Sequence, residues 1–133
     1  MKKIILFFAF TILTLVSCSS NDDNSENKKQ TNSNPPAWII GTWSNGDTTY
    51  IFTEDDIKYT VNGVTTSMKE VMNDYYKYNT GVSIASEVKQ TSNNNSYNAI
   101  YTLGDTKTTF SFTKNSNTKI TSNSYLEGVY IKQ

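Results

Sequence analysis

The ten residues from Ile57 to Thr66 read IKYTVNGVTT, and they decide the fold class of this protein. Ile57, Tyr59 and Val61 alternate with polar residues, which is the period-two pattern of a strand with one buried face. Asn62-Gly63 separates them from a second run of β-formers. Both central residues of a type I′ turn need a positive φ, which Asn and Gly tolerate. The stretch therefore predicts an antiparallel β-hairpin.

The same period-two pattern extends on both sides of the hairpin and predicts a mainly β domain. Tyr, Ile, Val, Thr and Phe dominate these runs, and short clusters of turn-forming residues separate them. Neighbouring strands are therefore expected to pair antiparallel, in a meander of eight or nine strands. Besides the hairpin, we predict strands at residues 38–43, 48–53, 82–89, 96–103, 106–113, 118–122 and 125–132.

One segment, SMKEVMNDYYKY at residues 67–78, breaks the pattern and predicts an inserted helix. Met68, Val71, Met72 and Tyr75 fall at helical spacing, and Ser67 stands three residues before a glutamate, as in a capping box. Two architectures are compatible with these elements. One is an eight- to nine-stranded barrel, which removes free strand edges. The alternative is an open sheet covered by the helix, an α+β fold.

The start of the chain is typical of an export signal. Lys2 and Lys3 precede fourteen residues that are rich in Ile, Leu and Phe, too few for the roughly 20 of a membrane-spanning helix. The residues LVSC at positions 15–18 resemble the lipobox of bacterial lipoproteins, in which a peptidase cuts before the cysteine and the thiol carries a diacylglycerol. The resemblance implies a signal peptide at 1–17 and a lipidated Cys18.

Acylation of Cys18 would hold the protein on a membrane, because two or more acyl chains give stable attachment where one does not. Ser19, where an Asp retains such lipoproteins at the inner membrane, favours the outer membrane, on its periplasmic or its cell-surface face. Residues 19–36 contain no aliphatic or aromatic side chain, which predicts a disordered tether. We therefore assign 1–17 to the signal peptide, 18–36 to the lipidated cysteine and tether, and 37–133 to the β domain.

The residue inventory argues against several function classes. The chain has no His and no Arg, and its only cysteine is Cys18, so the usual proton shuttles and thiol nucleophiles are missing and we do not expect an enzyme. A nearly neutral domain without Arg does not predict nucleic-acid binding. Glu54-Asp55-Asp56 lacks the spacing of a calcium loop, so we expect a solvated corner, no metal and no cofactor.

The first strand carries a family resemblance. IIGTWS at residues 39–44 resembles the Gly-x-Trp element that opens lipocalins and lipocalin-like lipoproteins, and LEGVYIK at 126–132 resembles the last strand of such families. The resemblance implies a small lipocalin-like β-barrel in which Trp43 packs across the closed end and Gly41 allows close approach. The Arg that usually covers this Trp in the family is absent.

Two functions are compatible with this reading. The first is a lipid-anchored, non-enzymatic binding protein that holds a small apolar or amphipathic ligand inside the barrel, lined by Trp43, Tyr50, Phe52, Tyr59, Tyr101, Phe110 and Phe112. The alternative is a surface interaction or hydrolase-inhibitor lipoprotein that acts through exposed Tyr residues and the Asn-rich loops 90–95 and 115–117, since Tyr and Asn recur at recognition surfaces. The sequence identifies no particular protein partner.

Overall fold

The computed structural model describes residues 32–79 and 86–133, so the predicted signal peptide, Cys18 and most of the tether lie outside the described residues. Nine strands and one helix follow in chain order. They are β1 (Gly41–Ser44), β2 (Thr48–Phe52), β3 (Ile57–Val61), β4 (Val64–Ser67), α1 (Met68–Tyr78), β5 (Ser86–Ser92), β6 (Ser96–Leu103), β7 (Thr106–Lys114), β8 (Lys119–Ser122) and β9 (Gly128–Lys132). The predicted mainly β class with one inserted helix is confirmed.

All nine strands belong to one antiparallel sheet that curls into a half-barrel. The strand order is β4-β3-β2-β1-β9-β8-β7-β6-β5, so every strand pairs with its neighbours in sequence except at β4 and β5, and the first strand pairs with the last. Among the described residues no ladder joins β4 to β5. The meander is therefore interrupted at one place, which we call the seam, between the two edge strands.

Helix α1 connects the two strands that border the seam. Its buried side chains, Met68 and Met72, face the hydrophobic core. The Tyr76 hydroxyl donates to the carbonyl of Ser86 at the start of β5, at 2.8 Å. The core thus lies between the concave face of the sheet and the helix. Within the described residues, no helix combines the length and the apolarity needed to cross a membrane.

The hairpin and the helix start follow the sequence signals that predicted them. Asn62 and Gly63 have φ of 51° and 77°, and Val61 pairs with Val64, as a two-residue turn with two positive φ values requires. At the helix start, the Ser67 hydroxyl accepts from the amide of Glu70 at 3.1 Å. Local chemistry is sufficient for both elements.

Three of the described strand boundaries differ from the prediction by more than one residue. β1 begins at Gly41 because residues 37–39 form a turn, closed by the Ile39 amide bonding the Pro36 carbonyl at 3.0 Å. β9 begins at Gly128, since the chain turns through Leu126, whose φ is 50°. β5 extends to Ser92, through polar residues that the sequence predicts to be a loop. Residues 82–85, predicted to begin this strand, lie outside the described residues.

The packed chain begins upstream of Ala37. Ser33 is 2% exposed, and Pro35 is buried. The Asn34 amide donates to Gln90 Oε1 at 2.7 Å, and Trp38 Nε1 donates to the Asn93 carbonyl at 2.8 Å. Residues 33–39 therefore lie against one end of the half-barrel. Composition does not reveal this contact, because Ser, Asn and Pro carry no apolar periodicity.

Candidate functional site

The aromatic residues predicted to line a ligand cavity lie inside the half-barrel, packed against one another. Tyr50 and Phe52 lie 5.0 and 4.9 Å from the ring of Phe112, and Tyr101 lies 5.6 Å from the ring of Phe110. Those five rings are at most 1% exposed, whereas Tyr59, 6.1 Å from Phe110, is half-buried. The structure brings six of the seven predicted residues into one cluster.

Three more tyrosines belong to this cluster, although the sequence reasoning did not select them. Tyr130 lies 5.0 Å from Tyr50, Tyr125 lies 5.0 Å from Tyr59, and Tyr97 lies 6.4 Å from Phe112. Alternation along β6 and β9 was the signal that could have found Tyr97 and Tyr130. Tyr125 lies in a turn, so no periodicity marks it.

Two phenol groups of the cluster, those of Tyr50 and Tyr130, bind backbone carbonyls of the turn between β8 and β9. The Tyr50 hydroxyl donates to the carbonyl of Tyr125, and the Tyr130 hydroxyl donates to that of Leu126 at 2.8 Å. Burial raises the pKa of Tyr50, Tyr97 and Tyr101 far above the ordinary value. A hydrogen bond with Tyr59, with desolvation, raises the pKa of Tyr125 to about 12. These phenols remain neutral, and the hydroxyls of Tyr50 and Tyr130 hold the β8–β9 turn over the core.

Three pockets of about 460 to 480 Å³ lie at the surface of the described chain. None of the seven predicted ligand residues lines any of them. The aromatic rings instead occupy the half-barrel interior, where they contact each other at ordinary ring-to-ring distances.

Trp43 lies opposite Tyr50 in the β1–β2 ladder and belongs to the same buried core, although no ring-to-ring contact joins it to the six aromatic residues above. Its Nε1 donates to the carbonyl of Ile39 at 2.7 Å. Lys132, which pairs with it across β1 and β9, places Nζ 5.1 Å from the ring centroid, a cation–π distance. A Cβ on Gly41 would lie 3.2 Å from Lys132 Cε. Lys132 thus covers the Trp where the sequence offered no Arg.

The two Asn-rich loops lie side by side at the end of the half-barrel covered by residues 33–39. The amide of Lys114 donates to the carbonyl of Asn95 at 2.8 Å, which ties the β7–β8 loop to the β5–β6 loop. Lys114 Nζ also lies 5.9 Å from the ring of Trp38. We call the exposed residues Asn93–Asn95 and Asn115–Asn117, with half-buried Trp38, the Asn-loop surface.

Some of these asparagines shape the loops, and others do not. Asn93 Oδ1 accepts from the amides of Asn95 and Ser96, both at 2.8 Å, and Asn115 Oδ1 accepts from Thr121 Oγ1 at 2.8 Å. Asn94 and Asn117 are exposed, and within the described chain their side chains make no hydrogen bond. Asn93 and Asn115 thus order the loops, whereas Asn94 and Asn117 present their side chains to solvent.

Exposed tyrosines are few among the described residues. Tyr78, at the end of α1, is 75% exposed, and Tyr125 is 38% exposed. Tyr125 lies in the β8–β9 turn, at the opposite end of the strands from the Asn-loop surface. The exposed aromatic and the Asn-rich components of the predicted recognition surface are therefore separated.

The acidic corner at residues 54–56 has a structural role. The Asp56 carboxylate, 3% exposed, accepts from the Ser67 hydroxyl at 2.6 Å and from the Lys69 amide at 2.9 Å, so it caps the start of α1. Asp55 pairs with Lys69, and that hydrogen bond lowers the pKa of Asp55. The part of the chain that the structure describes contains no group of three or more His, Cys, Asp or Glu able to hold a metal ion.

The fold and this surface define a class: an antiparallel meander whose first and last strands pair, curled into a half-barrel with a helix at its seam. Comparison of the chain with protein-family models, with curated protein sequences and with solved structures finds no match.

Proposed function

We propose that the protein is a lipid-anchored, non-enzymatic binding protein that recognises a partner protein through the Asn-loop surface. The observation that carries this proposal is the filled interior. Six of the seven side chains predicted to line a ligand cavity pack ring against ring or lie half-buried beside those rings. Recognition at an outer surface needs no cavity, so this function accommodates the packed core.

The non-enzymatic part of the proposal is supported by where the remaining reactive groups lie. The chain has no His and no Arg. Asp56 is engaged in capping α1, and Asp55 is paired with Lys69. Both carboxylates are thus used within the fold: the Ser67 hydroxyl that donates to Asp56 also accepts from the Glu70 amide as part of the helix cap, and Asp55 is neutralised by an ammonium group.

The choice of the Asn-loop surface is supported by preorganisation. Asn93 and Asn115 hold the two loops through their own hydrogen bonds, so a partner that binds there orders little additional chain. Asn94 and Asn117 each offer one amide acceptor and one amide donor pair to a partner. Trp38, beside them, adds apolar area with a fixed indole, since its Nε1 already binds the Asn93 carbonyl.

The anchor is the second part of the proposal and rests on Cys18, outside the described residues. We propose that acylation of Cys18 attaches the protein to the outer membrane, on its periplasmic or its cell-surface face. Residues 33–39, which include the last four residues of the predicted tether, pack at the same end as the Asn-loop surface. Replacing Cys18 with Ser is expected to abolish fatty-acid labelling and release the protein from membranes; continued membrane association of that variant would contradict the anchor.

Recognition is tested by crosslinking on intact membranes, with the full-length protein and an Asn94→Ala/Asn117→Ala double variant. A specific partner is expected to crosslink to the wild-type protein at least about tenfold more than to the variant, as loss of interface side chains worth over 1 kcal/mol implies. Asp105→Ala, an exposed change at the β6–β7 turn at the opposite end, is the matched control. Equal crosslinking of all three proteins would contradict the proposed surface.

The hypothesis of an interior ligand stays a prediction and has a separate test. Organic extraction of the purified full-length protein, followed by mass spectrometry, would reveal a stoichiometric small molecule besides the acyl chains. The same extraction is made from a Phe112→Trp variant, in which a larger ring stands inside the cluster. A molecule that is present in the wild-type protein and lost in this variant would favour the ligand hypothesis over the surface hypothesis.

A further inference from the structure

Strand β5 is the longer of the two edge strands and has an open side. It pairs only with β6 among the described residues. The bond from the Asn93 amide to the Ser96 carbonyl sets the alternation of this ladder, so residues 87, 89 and 91 exchange hydrogen bonds with β6. The backbone N–H and C=O groups of Val88 and Gln90 therefore point away from β6, on the open side of the strand.

A groove of about 460 Å³ lies next to this edge, on the surface formed by β5 and β6. Its lining is Val88, Lys89, Gln90, Thr91, Asn98 and Ile100, all from β5 and β6. At the top of the edge, the Ser86 carbonyl is already bound by the Tyr76 hydroxyl. Below that point, the Asn34 amide binds the side chain of Gln90 and not its backbone. The backbone of this edge can therefore accept an additional strand by hydrogen bonding.

The charges on β5 select what can pair there. Glu87 and Lys89 lie on the outer face, with Nζ 3.1 Å from Oε1 and with 45% and 71% of their side chains exposed. If a second β5 lies antiparallel with Val88 opposite Val88, then Glu87 faces Lys89 of the second copy and Lys89 faces Glu87 of the second copy. Directly opposite side chains on one face lie about 4.5–5.5 Å apart, and opposite charges there attract.

This register also agrees with the backbone. Val88 points its N–H and C=O outward, so the central Val88 pair is a hydrogen-bonded pair. Glu87 and Lys89 then form non-hydrogen-bonded pairs, in which opposing side chains are closest. A shift of the two-fold axis by one residue would set Lys89 against Lys89 and repel. The edge is thus complementary to itself in one register.

We infer that β5 is a homodimerisation edge, on which a second copy of this chain adds its own β5 antiparallel about a two-fold axis at Val88. A lysine in the middle of an edge strand usually prevents such pairing. Here Glu87 offsets the charge of this lysine. In the symmetric register, Glu87 of each copy faces Lys89 of the other copy, so two charge pairs form between the strands. The other edge, β4, has only four residues and offers a shorter ladder.

The test is sedimentation of the full-length protein in detergent. The wild-type protein is expected to dimerise. Glu87→Lys and Lys89→Glu should each weaken self-association roughly tenfold, because each turns both attractive pairs into repulsive pairs. An equimolar mixture of the two variants should form heterodimers, since the two edges are then oppositely charged. Lys119→Glu, an exposed change on β8, should dimerise like the wild-type protein.

A crosslink keeps the inference testable if the dimer dissociates in detergent. Differently tagged Glu87→Cys and Lys89→Cys chains, mixed and oxidised on membranes, should form a disulfide-linked heterodimer, because Cβ atoms of such a pair are close enough for one. The wild-type chain is oxidised alone as a control. A disulfide between two wild-type chains would have to form through Cys18 and would show that this thiol is not acylated. Such a result concerns the proposed anchor and is independent of dimerisation through β5. Monomers in both experiments, or dimers insensitive to both charge reversals, would overturn the inference.

Discussion

Gly41 allows close packing at the end of the half-barrel at which Trp43 lies. Its φ of +127° belongs to a region that residues with a side chain rarely adopt, and a Cβ there would lie 3.2 Å from Lys132 Cε. Lys132 in turn covers the indole of Trp43 at 5.1 Å. The Gly-x-Trp spacing therefore has a direct physical reason: the glycine leaves room for the aliphatic part of the lysine that stacks on the tryptophan two residues later.

Replacing Gly41 with Ala tests this contact. Gly46 has a similar φ of +102°, but nothing lies within 4 Å of the Cβ position, so Gly46→Ala reports backbone strain alone. Gly41→Ala is expected to lower the free energy of unfolding by about 1 kcal/mol more than Gly46→Ala, because it also displaces Lys132. Urea denaturation measures both. Equal losses would show that Lys132 moves aside without cost.

At the scale of elements, helix α1 is fastened to the sheet at its first turn. Ser67 and Asp56 form a connected cap: the serine hydroxyl accepts from the Glu70 amide and donates to the carboxylate, which also accepts from the Lys69 amide. Asp56 comes from the β2–β3 loop, so this cap joins the helix to the sheet as well as satisfying free amides. The helix borders the seam, and its position depends on this connection.

Ser67→Ala is therefore expected to cost about 1–3 kcal/mol of unfolding free energy, since it removes a cap and leaves a buried carboxylate with one partner fewer. Asp55→Ala, one residue from Asp56, is the control. It breaks the pair with Lys69, which is exposed to solvent and screened, so little change is expected. Chemical denaturation followed by circular dichroism compares the two variants. A larger effect from Asp55→Ala would contradict the assigned roles.

For the whole molecule, the aromatic interior links stability to alkaline pH. Burial raises the pKa of Tyr50, Tyr97 and Tyr101 above the value of a solvated phenol. Their neutral form is therefore favoured in the folded protein, and the unfolded chain loses these protons first as pH rises. Stability from these three groups is fully present below the unfolded pKa and decreases above it.

The midpoint of urea denaturation is expected to be flat from neutral pH to about pH 9 and to fall steeply above about pH 10, where solvated tyrosines ionise. Absorbance at the phenolate band, recorded in parallel, should show most tyrosines ionising together with unfolding. Tyr78→Phe removes a 75% exposed phenol and should leave the midpoint curve unchanged. A midpoint that is constant through pH 11 would contradict a tightly packed interior.

The sequence by itself determined the elements whose signals are local. Asn62-Gly63 specified the hairpin because the turn depends on the φ preferences of two residues. Ser67 and Glu70 located the helix start because a cap spans three residues. Alternation showed that Tyr50, Phe52, Phe110 and Phe112 face inward. The mainly β class, a meander of eight or nine strands and the inserted helix all follow from such short-range patterns.

Only the tertiary structure decided whether these inward rings enclose a cavity or fill the interior, and which segments cover the two ends of the half-barrel. Tyr130 bonds Thr48 across 82 residues, and Lys132 meets Trp43 only because β9 pairs with β1. Periodicity predicts that a side chain faces the interior. It does not predict whether the strands on the opposite side of the half-barrel lie near enough for their side chains to fill that interior. That depends on sheet curvature and on the register between the first and last strands, which are set by contacts between distant residues and not by neighbours along the chain.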